Sequence, residues 1–82
     1  MKIGVLGGSF NPVHLGHLLL AEAAREQLGL DRVLLVPAAR PPHKPDLGLA
    51  PAGRRLAMLR AALRGARGLE ADDREIRRNG LS

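Results

Sequence analysis

An 82-residue chain with 45% hydrophobic and 26% charged residues has the composition of one small globular domain, not of a disordered segment. It carries no cysteine, which excludes disulfides, thiolate metal ligands and a cysteine nucleophile. A net charge of +5, resting largely on eleven arginines, suits a polyanionic partner such as nucleotide phosphates or nucleic acid, and the single aromatic residue, Phe10, leaves almost no platform for stacking bases.

No apolar run approaches the ~18 residues of a membrane span, and no signal-type apolar region follows Met1, so a cytoplasmic protein without a membrane partner is expected. Ile3 to Leu6 is a short apolar run closing on Gly7-Gly8 and predicts a buried strand that ends in a glycine turn. From Leu15 the period becomes helical. Leu15, Leu18, Leu19 and Ala23 lie on one side, Glu22, Arg25 and Glu26 on another, and Gly29 is placed to stop the helix. Arg32 to Val36 is a second strand, halted by Pro37. Residues 37 to 53 hold five of the six prolines, including Pro41-Pro42 and Pro45, and predict a long loop of restricted backbone freedom. Leu56, Leu59 and Leu63, with Arg55, Arg60 and Arg64 between them, predict a second amphipathic helix whose Leu56, Met58, Leu59 and Leu63 belong to the core. Leu69 to Ala71 begins a third strand. Strand, helix and strand within some 35 residues imply parallel strands and an α/β fold, with a narrow sheet that two helices cover poorly.

The specific chemistry is concentrated in Gly7-Gly8-Ser9-Phe10-Asn11-Pro12-Val13-His14-Leu15-Gly16-His17. The two glycines fall at the carboxyl end of a strand, the edge at which open α/β sheets bind ligands, and let phosphate oxygens approach backbone N–H groups. His14 and His17 are three residues apart at the start of a helix, on neighbouring positions of one face. There the helix dipole attracts anions and an imidazole can donate to a phosphate. Taken singly, the His pair also fits a capping or surface role, and the glycine turn fits an ordinary strand end. The pattern is neither the G-x-G-x-x-G dinucleotide fingerprint nor the G-x-x-x-x-G-K-[ST] phosphate loop.

Together, these residues resemble the G-G-x-F-x-P-x-H-x-G-H motif of the HxGH nucleotidyltransferases. Within that superfamily the chain is most similar to the bacterial nicotinate-nucleotide adenylyltransferases, through Val36-Pro37, Pro41-Pro42-His43-Lys44-Pro45, Arg55-Leu56-Ala57-Met58-Leu59 and Arg74-Glu75-Ile76-Arg77-Arg78. The resemblance implies a Rossmann-like fold, of which residues 1–82 form the N-terminal portion of a single domain. It also implies adenylyl transfer from ATP, with Mg2+, to nicotinate mononucleotide, giving deamido-NAD and pyrophosphate. Gly7, Gly8, Ser9 and Phe10 would line the ATP site, where His14 and His17 would contact the phosphates. Lys44 would join the two histidines as a catalytic group, and His43, Lys44 and Arg55 would bind substrate. No resident metal is implied.

Family members commonly carry Asp at the position of Asn11. They also continue beyond the matching region into a segment that holds the nicotinate ring and a later motif that completes the ATP site, so the sequence is expected to be a truncated fragment. Two rival readings stand beside this one. Another HxGH enzyme, a pantetheine-phosphate adenylyltransferase or a cytidylyltransferase, would resemble the chain mainly at Gly7 to His17. A basic nucleic-acid-binding module would explain the arginines but lacks interleaved aromatics, so no nucleic-acid partner is expected.

Overall fold

The computed structural model describes residues 1–10, 13–39 and 51–78. Six elements follow in chain order: β1 (Ile3–Gly8), α1 (Leu15–Gln27), β2 (Arg32–Pro37), α2 (Ala52–Ala62), β3 (Leu69–Ala71) and α3 (Arg74–Arg78). The strands form one parallel sheet in the order β1-β2-β3, with Gly4 opposite Val33, Leu6 opposite Leu35, and Val33 opposite Leu69. The expected α/β architecture is therefore present, and so is the third strand.

Alternation along the strands decides where the core lies. Val33, Leu35 and Leu69 share one face of the sheet and pack into one cluster with Ala21 of α1 and with Leu59 and Leu63 beside or on α2. Both helices are thus on the same face. The opposite face carries Ile3 and Val5 beside Arg32 and Leu34, and Val5 remains 65% exposed. Among the described residues β1 is paired along one side only.

Helix α1 seats itself through a small residue. Ala21 is buried, whereas Leu15, Leu19, Leu20 and Leu28 are all more than half exposed. The leucine side of α1 read from the sequence is therefore largely open apart from Leu18, which packs on the core beside the fully buried Ala21. An apolar cavity of about 210 Å³ separates α1 from β1, lined by Gly4, Leu6, Leu20, Ala24, Leu30 and Val33. The helix ends as predicted near Gly29, which takes a left-handed φ of 63° as the Leu30 N–H turns back to the Arg25 carbonyl.

Helix α2 matches its predicted face more closely: Leu56, Leu59 and Leu63 are buried, and Met58 is half-buried. The one-turn α3 is an element the periodicity did not reveal. It is started by Asp72, whose carboxylate accepts from the Arg74 backbone N–H at 2.9 Å and from the Arg74 guanidinium at 2.9 Å. Those bonds hold the Asp72 carboxyl well below its usual range, at about 2.

Candidate functional site

The site is built where β1 stops. The Phe10 ring folds back beneath the end of the strand, where a Cβ added at Gly8 would lie in ordinary contact with it at 3.4 Å. Phe10 is 1% exposed and has a φ of 48°, a conformation that bulky L-residues adopt only when their surroundings impose it. Its ring meets the His17 imidazole edge-on, with centroids 4.9 Å apart and planes at 71°. The turn therefore delivers a buried aromatic support directly under one of the two histidines.

His14 is the N-cap of α1, in an extended conformation, and His17 occupies the third helical position. The two cap the helix reciprocally. The Gly16 N–H donates to His14 Nδ1 at 3.1 Å, and the His14 N–H donates to His17 Nδ1 at 3.0 Å. This is the logic of a capping box carried out by imidazoles. It also selects the tautomer, because a neutral ring that accepts at Nδ1 carries its proton on Nε2. Each ring thus keeps one N–H donor at the positive end of α1, whose first turn contains no acidic residue. The rings lie against each other with centroids 3.9 Å apart.

Gly16 is a fixed position of the motif read in the sequence, and the geometry gives the reason. A Cβ there would lie 2.9 Å from His14 Cε1 and 3.1 Å from Nδ1, so any larger residue would push the capping ring off its N–H donor. The signal available in the sequence was a glycine two residues after a potential N-cap.

The His17 pKa is lowered from its ordinary 6.5, first by loss of solvent and then by the neighbouring His14. A base whose folded pKa is depressed is protonated first in the unfolded chain. Its contribution to stability is therefore complete above pH 6.5 and is lost as pH falls through the folded value. Protonation would also place a hydrogen on the Nδ1 that caps the helix. Thermal melts are expected to give a constant Tm from pH 8 to 7 and a falling Tm from pH 6.5 to 5. Asp72 does not obscure this window, because its depressed carboxyl titrates in much stronger acid.

Arg55 lies in the first turns of α2 and is 1% exposed. Its guanidinium donates from Nη1 to the carbonyls of Ser9, at 2.9 Å, and Ala38, at 2.7 Å, and from Nη2 to the carbonyl of Ala39, at 3.1 Å. The backbone leaving β1 and the backbone leaving β2 are thus joined by one cation. The structure brings together Gly7, Gly8, Ser9, Phe10, His14, His17 and Arg55 at the carboxyl edge of the sheet. His43 and Lys44 lie outside the described residues.

Similarity to known proteins spans nearly all of this framework. The pattern of the cytidylyltransferase-like family matches residues 5–81. A probable nicotinate-nucleotide adenylyltransferase of Pelobacter propionicus is 52% identical over 82 residues, the whole of this chain and 38% of that protein. Proteins described in the same words from Gloeobacter violaceus and Opitutus terrae are 51% and 54% identical, over 99% and 100% of this chain. The chain spans 39% and 42% of those two relatives, so its likeness is to a minor share of each. The matched stretch contains most of β1 and its turn, the His14–His17 cap, α2 with its buried arginine, and strands β2 and β3, and on that breadth of agreement the chain belongs to the cytidylyltransferase-like family.

Proposed function

We propose that this chain supplies the nucleotide-gripping part of an adenylyl transfer from Mg-ATP to nicotinate mononucleotide. In that reaction a phosphate oxygen of the mononucleotide attacks the α-phosphorus of ATP, the bond to the bridging oxygen breaks, and pyrophosphate leaves with the electron pair. The attacking group is already an anion, so a protein contributes chiefly by aligning the phosphates and stabilising the charge that moves onto the leaving group. The carrying observation is the reciprocal imidazole cap, in which Nδ1 of His14 and of His17 each accepts from a backbone N–H and Nε2 of each is left to donate at a helix N-terminus. Gly7 and Gly8 leave the backbone beside them uncovered, and the net charge of +5 favours a polyphosphate. The choice of nicotinate mononucleotide rests on the names of the relatives, each a probable nicotinate-nucleotide adenylyltransferase. Magnesium is proposed to arrive with ATP as part of the substrate. His43 and Lys44 retain the proposed substrate-binding role, and Lys44 the catalytic one, on resemblance alone.

Titration calorimetry of the chain with Mg-ATP tests this directly. Hydrogen bonds to charged groups are worth about 1.5 to 3 kcal/mol each. His17→Ala is therefore expected to weaken binding roughly 10- to 100-fold. Equal affinity in the two proteins, or no binding by the unsubstituted chain, would sink the half-site reading. Tighter binding of Mg-CTP than Mg-ATP would redirect the proposal to cytidylyl transfer.

A further inference from the structure

We propose that Arg55 is a positioning residue whose buried guanidinium fastens the turn after β1 to the turn after β2 and thereby sets the place of His17. Of the described residues it is the buried charged one, and burying a cation is costly unless its N–H groups are satisfied. Here three carbonyls, 46, 17 and 16 residues away in sequence, converge on it. A planar fork spreads its donors over separate nitrogens in a fixed geometry and so holds two chain segments in register, whereas an ammonium offers rotatable donors from a single point.

The consequence runs through one peptide plane. The Ser9 carbonyl that accepts from Arg55 belongs to the peptide linking Ser9 to Phe10, so holding that oxygen restrains the rotation that gives Phe10 its φ of 48°. Phe10 in turn supports the His17 ring at 4.9 Å. On the other side, the Ala38 N–H donates to the Gly8 carbonyl at 2.8 Å while the Ala38 carbonyl accepts from Arg55, so both turns are held as one unit. Arg55 therefore acts on the imidazole through the backbone. Only the value of that placement for nucleotide binding rests on the function proposed above; the geometric link does not.

The test compares Arg55→Lys with the unsubstituted 82-residue chain by NMR, with amide dispersion as the check on folding. The expected result is a folded variant in which the His17 ring protons shift as they leave the edge of Phe10, and in which the Phe10–His17 cross-peaks weaken. Affinity for Mg-ATP is expected to fall at least tenfold. A folded Arg55→Lys protein with unchanged His17 ring resonances and cross-peaks would overturn the proposal. Should the variant unfold, the unsubstituted chain decides. Clamped Arg55 Nη protons give separate resonances with cross-peaks to residues 9, 38 and 39, whereas one rotationally averaged Nη signal would overturn it. If the unsubstituted chain fails to bind Mg-ATP, the proposed function falls while these ring and guanidinium signals still decide the role of Arg55.

Discussion

Phe10→Ala is expected to lower the unfolding free energy by about 3 to 5 kcal/mol, the usual cost of emptying a buried phenylalanine site. Domains hold roughly 0.05 to 0.15 kcal/mol per residue, so this change removes a large share of what a chain of 82 residues has. Nothing is recovered from the backbone, because alanine at a φ of 48° keeps the steric conflict between Cβ and the following carbonyl. Phe10→Gly separates the two contributions: it loses the same ring but relieves a conformation worth roughly 1 to 2 kcal/mol, and should be the less damaging substitution. Urea unfolding with an unchanged m-value measures both. A loss below about 1 kcal/mol in Phe10→Ala would mean that the ring is not the packed support described.

The second large effect is expected at Leu59. It is 0% exposed in the cluster that joins α2 to Val33, Leu35 and Leu69, and Leu59→Ala should cost about 2 to 5 kcal/mol. Leu19→Ala makes the same chemical change on α1, where the side chain is 60% exposed, and should stay within about 0.5 kcal/mol. The contrast tests the one-sided sheet. Comparable losses at the two positions would mean that the leucine row of α1 is buried in solution.

Most of this architecture is legible in the sequence because short apolar runs and glycine stops are local signals. Ile3 to Leu6 before Gly7-Gly8, and Arg32 to Val36 before Pro37, read as strands without further help, and the His pair stands out by spacing at a helix start. What escaped depends on distance in space. Periodicity groups Leu15, Leu18 and Leu19 with Ala23, yet Ala21 meets the sheet, because close packing of a helix on strands can favour the smaller side chain. Helix α3 escaped because five residues carry no period, and its start is set by the side chain of Asp72. Arg55 looks in sequence like its solvated neighbours Arg54 and Arg60. The resemblance marks it as a substrate-binding position, and the convergence of Ser9, Ala38 and Ala39 on its guanidinium is what shows it buried as a clamp.

Among the described residues β1 is paired on one side, and this divides its backbone residue by residue. The carbonyls of Lys2 and Gly8 accept from β2 or the residues flanking it, and alternation along a parallel strand sends Gly4 and Leu6 to the same side. Ile3, Val5 and Gly7 therefore turn their N–H and C=O groups away from β2. In deuterated water the Gly4, Leu6 and Gly8 amides should be released only when the sheet opens, while those of Ile3, Val5 and Gly7 exchange as fast as solvent reaches them. In β2 amides on both sides are held, the even positions toward β1 and, of the odd ones, Val33, bonded to the Gly68 carbonyl, and Leu35 toward β3. The middle strand is thus the slow-exchanging spine of the chain, and β1, which delivers the glycine turn, is protected at every second residue.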